Sequence, residues 1–306
     1  MKRVAVLYGG ISAEREVSLV SGAKVAEALA EVGYEVVAIE VGRDLAALIA
    51  ALTTARPDVA FNALHGRYGE DGCIQGILEW LGIPYTHSGV RASALAMDKA
   101  AAKACFAAAG LPVAPHRLVT REDVARGHPM PTPYVLKPIA EGSSVGVVIV
   151  REGDNRREQI VREWTYGPFA MAEAYVPGRE LTVGVLGDRP LAVTEIATAH
   201  GFYDYEAKYR PGESRHLLPA PIHPEAYDRA LGIAAAAHRA LGCRGASRAD
   251  LRYDDSDGEP GRLVLLEVNT QPGMTPTSLL PEQASHCGMS FAALCVWMVE
   301  EARCGA

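Results

Sequence analysis

Asp250, Glu267 and Asn269 are the residues whose types and spacing most directly suggest chemistry. The runs Ala249–Tyr253 and Leu263–Val268 flank DDSDGEPG, whose composition is that of a turn, and together they predict a hairpin. Glu267 and Asn269 are two apart and therefore share one sheet face, and Asp250 can face them across the hairpin. Two carboxylates and an amide oxygen are hard ligands, suited to Mg²⁺ held together with phosphate oxygens. The plainer alternative is a polar strand pair with its charges in solvent. Glu267 follows the apolar run Leu263–Leu266, which favours some burial.

A second candidate is the loop EGSSVG at 141–146, where Gly142 and Gly146 let the backbone approach a phosphate and Ser143 and Ser144 add donors. Lys137, just before it, adds a cation. A simple hairpin loop is the alternative. The same residues contain G-x-S-x-G centred on Ser144, but a nucleophile elbow needs a helix after the serine, and Val147–Val150 reads as a strand. The chain has neither a Gly-Lys dipeptide nor G-x-G-x-x-G, so a nucleotide would be bound by neither of those loops. Of the nine histidines, His65 is the one in a Gly-rich polar segment at a strand end. It reads either as a site residue or as a structural hydrogen-bonding group.

Alternating elements must position these groups. Val4–Tyr8, Val36–Val41 and Val59–Leu64 read as strands, with helices from about Val17 to Val32 and from Asp44 through Thr54 between them. This is a βαβαβ pattern and implies a parallel sheet, whose ligands sit beyond the carboxyl ends of its strands. GGISAER at 9–15 and HGRYGEDG at 65–72 lie at those ends. Ile74–Leu81 reads as a helix, Ile83–Tyr85 as an extended piece, and about Arg91 to Ala109 as one Ala-rich helix stopped by Gly110. RGHPMPTP at 126–133 is a loop. Strand, Gly-rich loop and strand follow, then helix Glu158–Trp164 and several strands up to about Ile196. Residues 199–215 have no clean period and read as a lid. Helix His223–Leu241 precedes the hairpin, and a last helix spans about Ser290–Arg303.

The formal net charge of −7 argues against a nucleic-acid partner. The apolar run at Val4–Tyr8 is shorter than the roughly 7–15 residues of a secretory signal. No run approaches the roughly 18 apolar residues of a membrane span. The six cysteines form no zinc or CxxC spacing and read as scattered thiols in a reducing compartment, so the cytoplasm is expected.

GGISAEREVSL, ALHGRYGEDG, GIPYTHSG, MDKAAAK, GLPVAP, VLKPIAEGSSVGV, GRELTVGVLG, FYDYEAKY and LLEVNTQPGMTPTSLLP occur in this order over residues 9–281. The set resembles the D-alanine–D-alanine ligases of bacterial cell-wall synthesis. That resemblance implies an ATP-grasp fold of mixed α/β and α+β class behind an N-terminal parallel, Rossmann-like domain. It divides the chain at 1–97, 98–178 and 179–306. It implies ATP and Mg²⁺ as cofactors, with two metal ions and Mn²⁺ as a substitute, D-alanine as substrate and a homodimer. Lys99 and Lys137 would contact ATP phosphates, Glu173 and Tyr175 adenine, Glu180 the ribose and Lys208 the γ-phosphate. Asp250, Glu267 and Asn269 take the places of the metal ligands. Glu14 matches the residue that receives the first substrate's ammonium, with Ser143 and Tyr209 as its hydrogen-bonding and lid-closing partners. Arg248 and the backbone N–H of Gly273 match the oxyanion donors, and Ser278 a residue receiving the second substrate's carboxylate.

Three departures stand out. Ala174 follows Glu173 where the family often has Lys, which bears on nucleotide affinity. The segment before Tyr134 is short and Pro-rich. Gln271 stands where Ser is common. Two other readings remain beside the resemblance: a ligase taking D-lactate second, against which Tyr209 within EAKY speaks, and a non-catalytic amino-acid-binding module, which would need no metal-binding residues.

Overall fold

The computed structural model describes residues 2–140, 146–198 and 214–305. Strands β1 (Arg3–Gly9), β2 (Glu35–Val41) and β3 (Val59–Asn62) form a parallel sheet in the order β2-β1-β3. Helices α1 (Arg15–Glu31) and α2 (Leu45–Ala55) make the crossovers. Asp44 caps α2 as its type predicts, accepting the Ala47 N–H at 3.0 Å. Helix α3 (Cys73–Leu81) follows, and Tyr85 pairs with Ala60 as a single parallel bridge rather than as a full strand.

The predicted helix from Arg91 to Ala109 is two helices, α4 (Val90–Met97) and α5 (Lys99–Ala108). Asp98 breaks it. Its backbone is extended (ψ 102°), and its carboxylate accepts the N–H groups of Ala100 and Ala101 at 2.9 and 3.0 Å. A side chain that caps a new helix competes successfully with continuation of the old one. The helix that starts there carries Lys99 and Lys103, which pair with Glu267 and Glu173 of two later sheets.

The first of those sheets has the order β4-β7-β5-β6, built from β4 (His116–Val119), β5 (Tyr134–Pro138), β6 (Val148–Val150) and β7 (Ala170–Ala174). Helices α6 (Arg121–Arg126) and α7 (Arg157–Arg162) cover it around Val124, Leu136 and Ile160. β4 and α6 have no counterpart in the sequence reading. The helix has only 6 residues and rests on a capping box between Thr120 and Asp123. The second sheet, β10-β9-β8-β11-β12, comprises β8 (Arg179–Leu186), β9 (Arg189–Thr198), β10 (Ser214–Leu217), β11 (Ala246–Asp254) and β12 (Arg262–Asn269). Its neighbouring strands pair antiparallel. The last two residues of the proposed lid, 214 and 215, belong to β10; residues 199–213 lie outside the described residues.

Helix α8 (Pro224–Leu241) covers this second sheet, starting with Pro at its first position and ending at Gly242 with φ 72°. Helix α5 packs into the same core, Ala102 and Phe106 lying fully buried beside Leu251 and Leu265. α5 thus belongs by packing to the five-stranded sheet although it precedes the four-stranded one in the chain. Truncating a buried Phe such as Phe106 costs about 3–5 kcal/mol. After α9 (Leu279–His286), helix α10 (Phe291–Glu300) returns to the first sheet, where Leu294 and Met298 pack with Val6, Phe61 and Leu29. Among the described residues no helix is long and apolar enough to cross a membrane, and the six cysteines are free.

Candidate active site

The hairpin β11–β12 brings four predicted residues onto one face. Asp250 stands directly opposite Glu267, and Arg248 opposite Asn269. A register shift follows at Asp250/Leu251 and ends the regular patch. Arg248 grips Asp250 with two hydrogen bonds, Nε to Oδ1 at 2.9 Å and Nη2 to Oδ2 at 2.7 Å. Asp250 Oδ1 also accepts from Thr182 Oγ1 on β8 at 2.7 Å. Asn269 Oδ1 accepts the Gln271 N–H at 2.7 Å, and Lys99 Nζ lies 3.4 Å from Glu267. Among the described residues no cluster of three or more His, Cys, Asp or Glu could hold a metal. The expected ligand set has two such carboxylates, with the Asn269 amide as its third donor.

In the four-stranded sheet, Glu173 on β7 is almost fully buried, and each of its oxygens meets a lysine. Lys137 Nζ of β5 donates at 2.5 Å, and Lys103 of α5 pairs with the other oxygen. Burial alone would push the Glu173 carboxyl up, but the two ammonium groups outweigh it and hold it below the usual carboxylate range. Glu173 therefore holds lysines in place with both oxygens, which the sequence reading, with its expected adenine contact, did not include. Tyr175 lies under the Arg151 guanidinium, 5.6 Å from ring centre to Cζ. Glu180 is 3.6 Å from Arg252, which also donates to the carbonyls of Val176 and Gly178.

The third group surrounds the carboxyl ends of the parallel strands. Glu14 stands at the N-cap of α1, and its backbone N–H reaches Ser12 Oγ at 3.2 Å. Ser18 Oγ ties α1 to the sheet, donating to the Ala63 carbonyl at 2.7 Å and accepting the Gly9 N–H at 2.9 Å. Gly66 has φ +67°, a backbone conformation that favours glycine, and a Cβ there would sit 2.9 Å from the Glu14 carboxylate. His65 is buried with Nε2 3.3 Å from Ser21 Oγ, and desolvation lowers its pKa toward the neutral form. Glu70 accepts the Gly66 N–H at 2.6 Å, and burial, then the charge of Glu14, raises its pKa to about 8. The fields of Glu14 and Arg248 act on both His65 and Glu70, which links this group to the hairpin patch.

Gly273 and Ser278 lie together. A Cβ on Gly273 would come 2.7 Å from Ser278 Oγ, and that oxygen accepts the Thr275 N–H at 2.9 Å. Gln271 joins the regions: its side-chain amide donates to the Asn62 carbonyl at the end of β3, and its Oε1 accepts from Asn62 Nδ2 at 3.2 Å. Ser143, Lys208 and Tyr209 lie outside the described residues. Sequence reasoning missed Lys103, Glu70 and Thr182, and noted Gln271 without assigning it a role. Glu70 lies inside HGRYGEDG, so its segment was visible although its own role was not. Lys103 is four residues after Lys99, the spacing that puts both on one helix face.

The family model described as "D-ala D-ala ligase C-terminus" matches residues 105–300, and "D-ala D-ala ligase N-terminus" matches 3–54 and 47–88. The chain is similar to a D-alanine–D-alanine ligase of Granulibacter bethesdensis, 67% identical over 306 residues, covering 100% of this chain and 99% of that protein. It is 69% identical over 304 residues to that of Acidiphilium cryptum, with 99% of each covered. Among solved structures it resembles the ATP complex of the Bacillus anthracis D-alanine–D-alanine ligase, with TM-score 0.82, 28% identity and coverage of 98% and 97%. It also resembles the VanG D-Ala:D-Ser ligase of Enterococcus faecalis, with TM-score 0.81, 28% identity and 98% of each chain covered.

Proposed function

The chain belongs to the D-alanine–D-alanine ligase family, and from that premise we propose the following division of labour among its residues. The reaction joins two D-alanines to D-alanyl-D-alanine for peptidoglycan, at the expense of ATP. A carboxylate is a poor electrophile. The γ-phosphoryl group of ATP passes to a carboxylate oxygen of the first D-alanine, and ADP leaves. The amine of the second D-alanine attacks the acyl phosphate, loses a proton and expels phosphate through a tetrahedral oxyanion.

Glu14 receives the first ammonium. Arg248 and the Gly273 N–H donate to the oxyanion, where such donors are worth most, and Ser278 receives the second carboxylate. Lys99 and Lys137 offset phosphate charge beside Tyr175 and Glu180, with Lys208, Ser143 and Tyr209 completing the site from the segments outside the described residues. Asp250, Glu267 and Asn269 offer hard oxygen donors from directly paired strands, a set that fits Mg²⁺ or Mn²⁺. Two such ions would supply charge neutralisation at the transferring phosphoryl group. We further propose the division 1–97, 98–178 and 179–306 along the chain, with α5 of the second segment packed on the sheet of the third, a homodimer and a cytoplasmic location.

The observation that carries this reading is the patch on β11–β12, with Arg248 and Asp250 facing Asn269 and Glu267. The test is incubation with MgATP and D-alanine. The expected products are the dipeptide, identified by mass, and equal amounts of ADP and phosphate. Nucleotide turnover without dipeptide would overturn the reading, and competition with D-serine and D-lactate fixes the second substrate.

A further inference from the structure

Lys103 is a lysine with no solvent exposure. Its ammonium meets one oxygen of Glu173, whose side chain is 3% exposed, while Lys137 holds the other. The cluster is two cations around one anion, a net positive charge buried behind the crevice between the two antiparallel sheets. Burial lowers the Lys103 pKa, so the surroundings oppose its charge rather than favour it. Apolar side chains of similar volume in place of a whole buried ionic cluster are commonly as stable or more so, although removing one partner alone is costly. Stability alone therefore gives no reason for an ionic cluster here.

Its connections give one. The helix that carries Lys103 is anchored through Ala102 and Phe106 in the core of the five-stranded sheet. Glu173 and Lys137 belong to the four-stranded sheet. The Lys103–Glu173 pair is thus a buried ionic tie from one body to the other. It also leaves Glu173 a single oxygen for Lys137, which fixes where that ammonium points. One turn earlier on the same helix, Lys99 faces Glu267 at the metal-ligand patch.

We infer that Lys103 is a positioning residue for the nucleotide: it acts through Glu173 to hold Lys137 and to set the two sheets that clamp ATP, without touching ATP itself. The inference rests on the proposed use of Lys137 and the crevice for ATP, and loss of ligase activity in the wild-type assay would sink that reading separately.

The test is steady-state kinetics of the full chain with Lys103→Met, Glu173→Gln and the double variant. Lys103→Met is expected to raise the KM for MgATP by about tenfold while the KM for D-alanine stays within about twofold, a difference well above ordinary error between independent sites. Because Lys103 acts through Glu173, the double variant should be no worse for MgATP than the worse single one. A third variant, Lys103→Gln, keeps a donor toward Glu173 without the charge. It should fall between wild type and Met, and it carries the test alone should the Met variant not fold. An unchanged KM for MgATP overturns the inference. So does a parallel rise in both KM values, which marks general damage, or single effects that multiply in the double variant, which mark independent action.

Discussion

Two buried glutamates, one on each side of the site, end in opposite protonation states. Glu173 lies between Lys103 and Lys137 and is held as an anion. Glu70 lies beside Glu14 in the loops of the parallel sheet, and its pKa of about 8 leaves it largely protonated at neutral pH. Burial pushes both the same way, so the neighbours decide. The difference matches the ligands proposed for each side, a polyanion and an ammonium. The side proposed to take the nucleotide gathers two lysines on Glu173. On the side proposed to take the amino acid, the second carboxyl, Glu70, is neutralised rather than paired. The two regions thus differ in electrostatics, and Arg248 lies at their junction, its field reaching Glu70 and its fork holding Asp250.

The largest effect that would sharpen this comparison is at that junction. Arg248→Lys keeps the charge but loses the planar fork on Asp250. One oxyanion donor is worth roughly 10²–10³ in rate, so turnover should fall by about that factor with little change in MgATP affinity. A variant retaining more than about a third of wild-type turnover would mean that charge alone suffices and that Arg248 is no oxyanion donor.

Glu70→Gln tests the other side through stability. The Glu70 pKa is raised from 4.5 unfolded to about 8 folded, so between those values the folded protein holds more protons than the unfolded chain. This contribution is fully present below about pH 4.5 and is lost as pH rises toward 8, at up to about 1.4 kcal/mol per pH unit. The amide that replaces the carboxyl does not titrate. Relative to wild type, the variant should therefore gain melting temperature steadily from about pH 5.5 to about pH 8.5, the window that the raised pKa opens. Parallel curves would show that Glu70 is not protonated in the fold and would break the contrast with Glu173.

What the sequence made legible follows from what has a period. Glu267 and Asn269 share a face because strand side chains alternate, and the turn DDSDGEPG set the hairpin that brings Asp250 opposite Glu267. The crossover pattern of the first sheet was equally plain, since apolar runs and their caps, such as Asp44, recur in order. Lys103 was hidden because a lysine on an Ala-rich helix reads as solvated; its burial depends on a carboxylate seventy residues further on. Glu70 was hidden too, its state being set first by burial and then by the charge of Glu14 across a loop. Gln271 gave no local sign that it would reach Asn62. The break at Asp98 lay under a run of good helix formers, whose propensity continues through it while the cap that ends it is a single side chain.

That cap yields the smallest prediction, on the lysine-rich side. Asp98 Oδ1 accepts two N–H groups at the start of the helix that carries both Lys99 and Lys103. Removing such a cap costs about 0.5–2 kcal/mol, and Asn is as good a cap as Asp. Asp98→Ala should therefore lower the melting temperature by a few degrees, about 2–4 °C per kcal/mol for a chain of this size class. Asp98→Asn should leave it nearly unchanged, because the accepting oxygen remains although the negative charge at the helix start is gone. The same pair of variants reads function. If the cap sets where the first turn of the helix points, the alanine variant should raise the KM for MgATP severalfold and the asparagine variant should not, with D-alanine unaffected in both. Equal behaviour of Ala and Asn in melting and in kinetics would mean that packing of Ala102 and Phe106 alone orients this helix, and that the lysines reach the crevice without the help of Asp98.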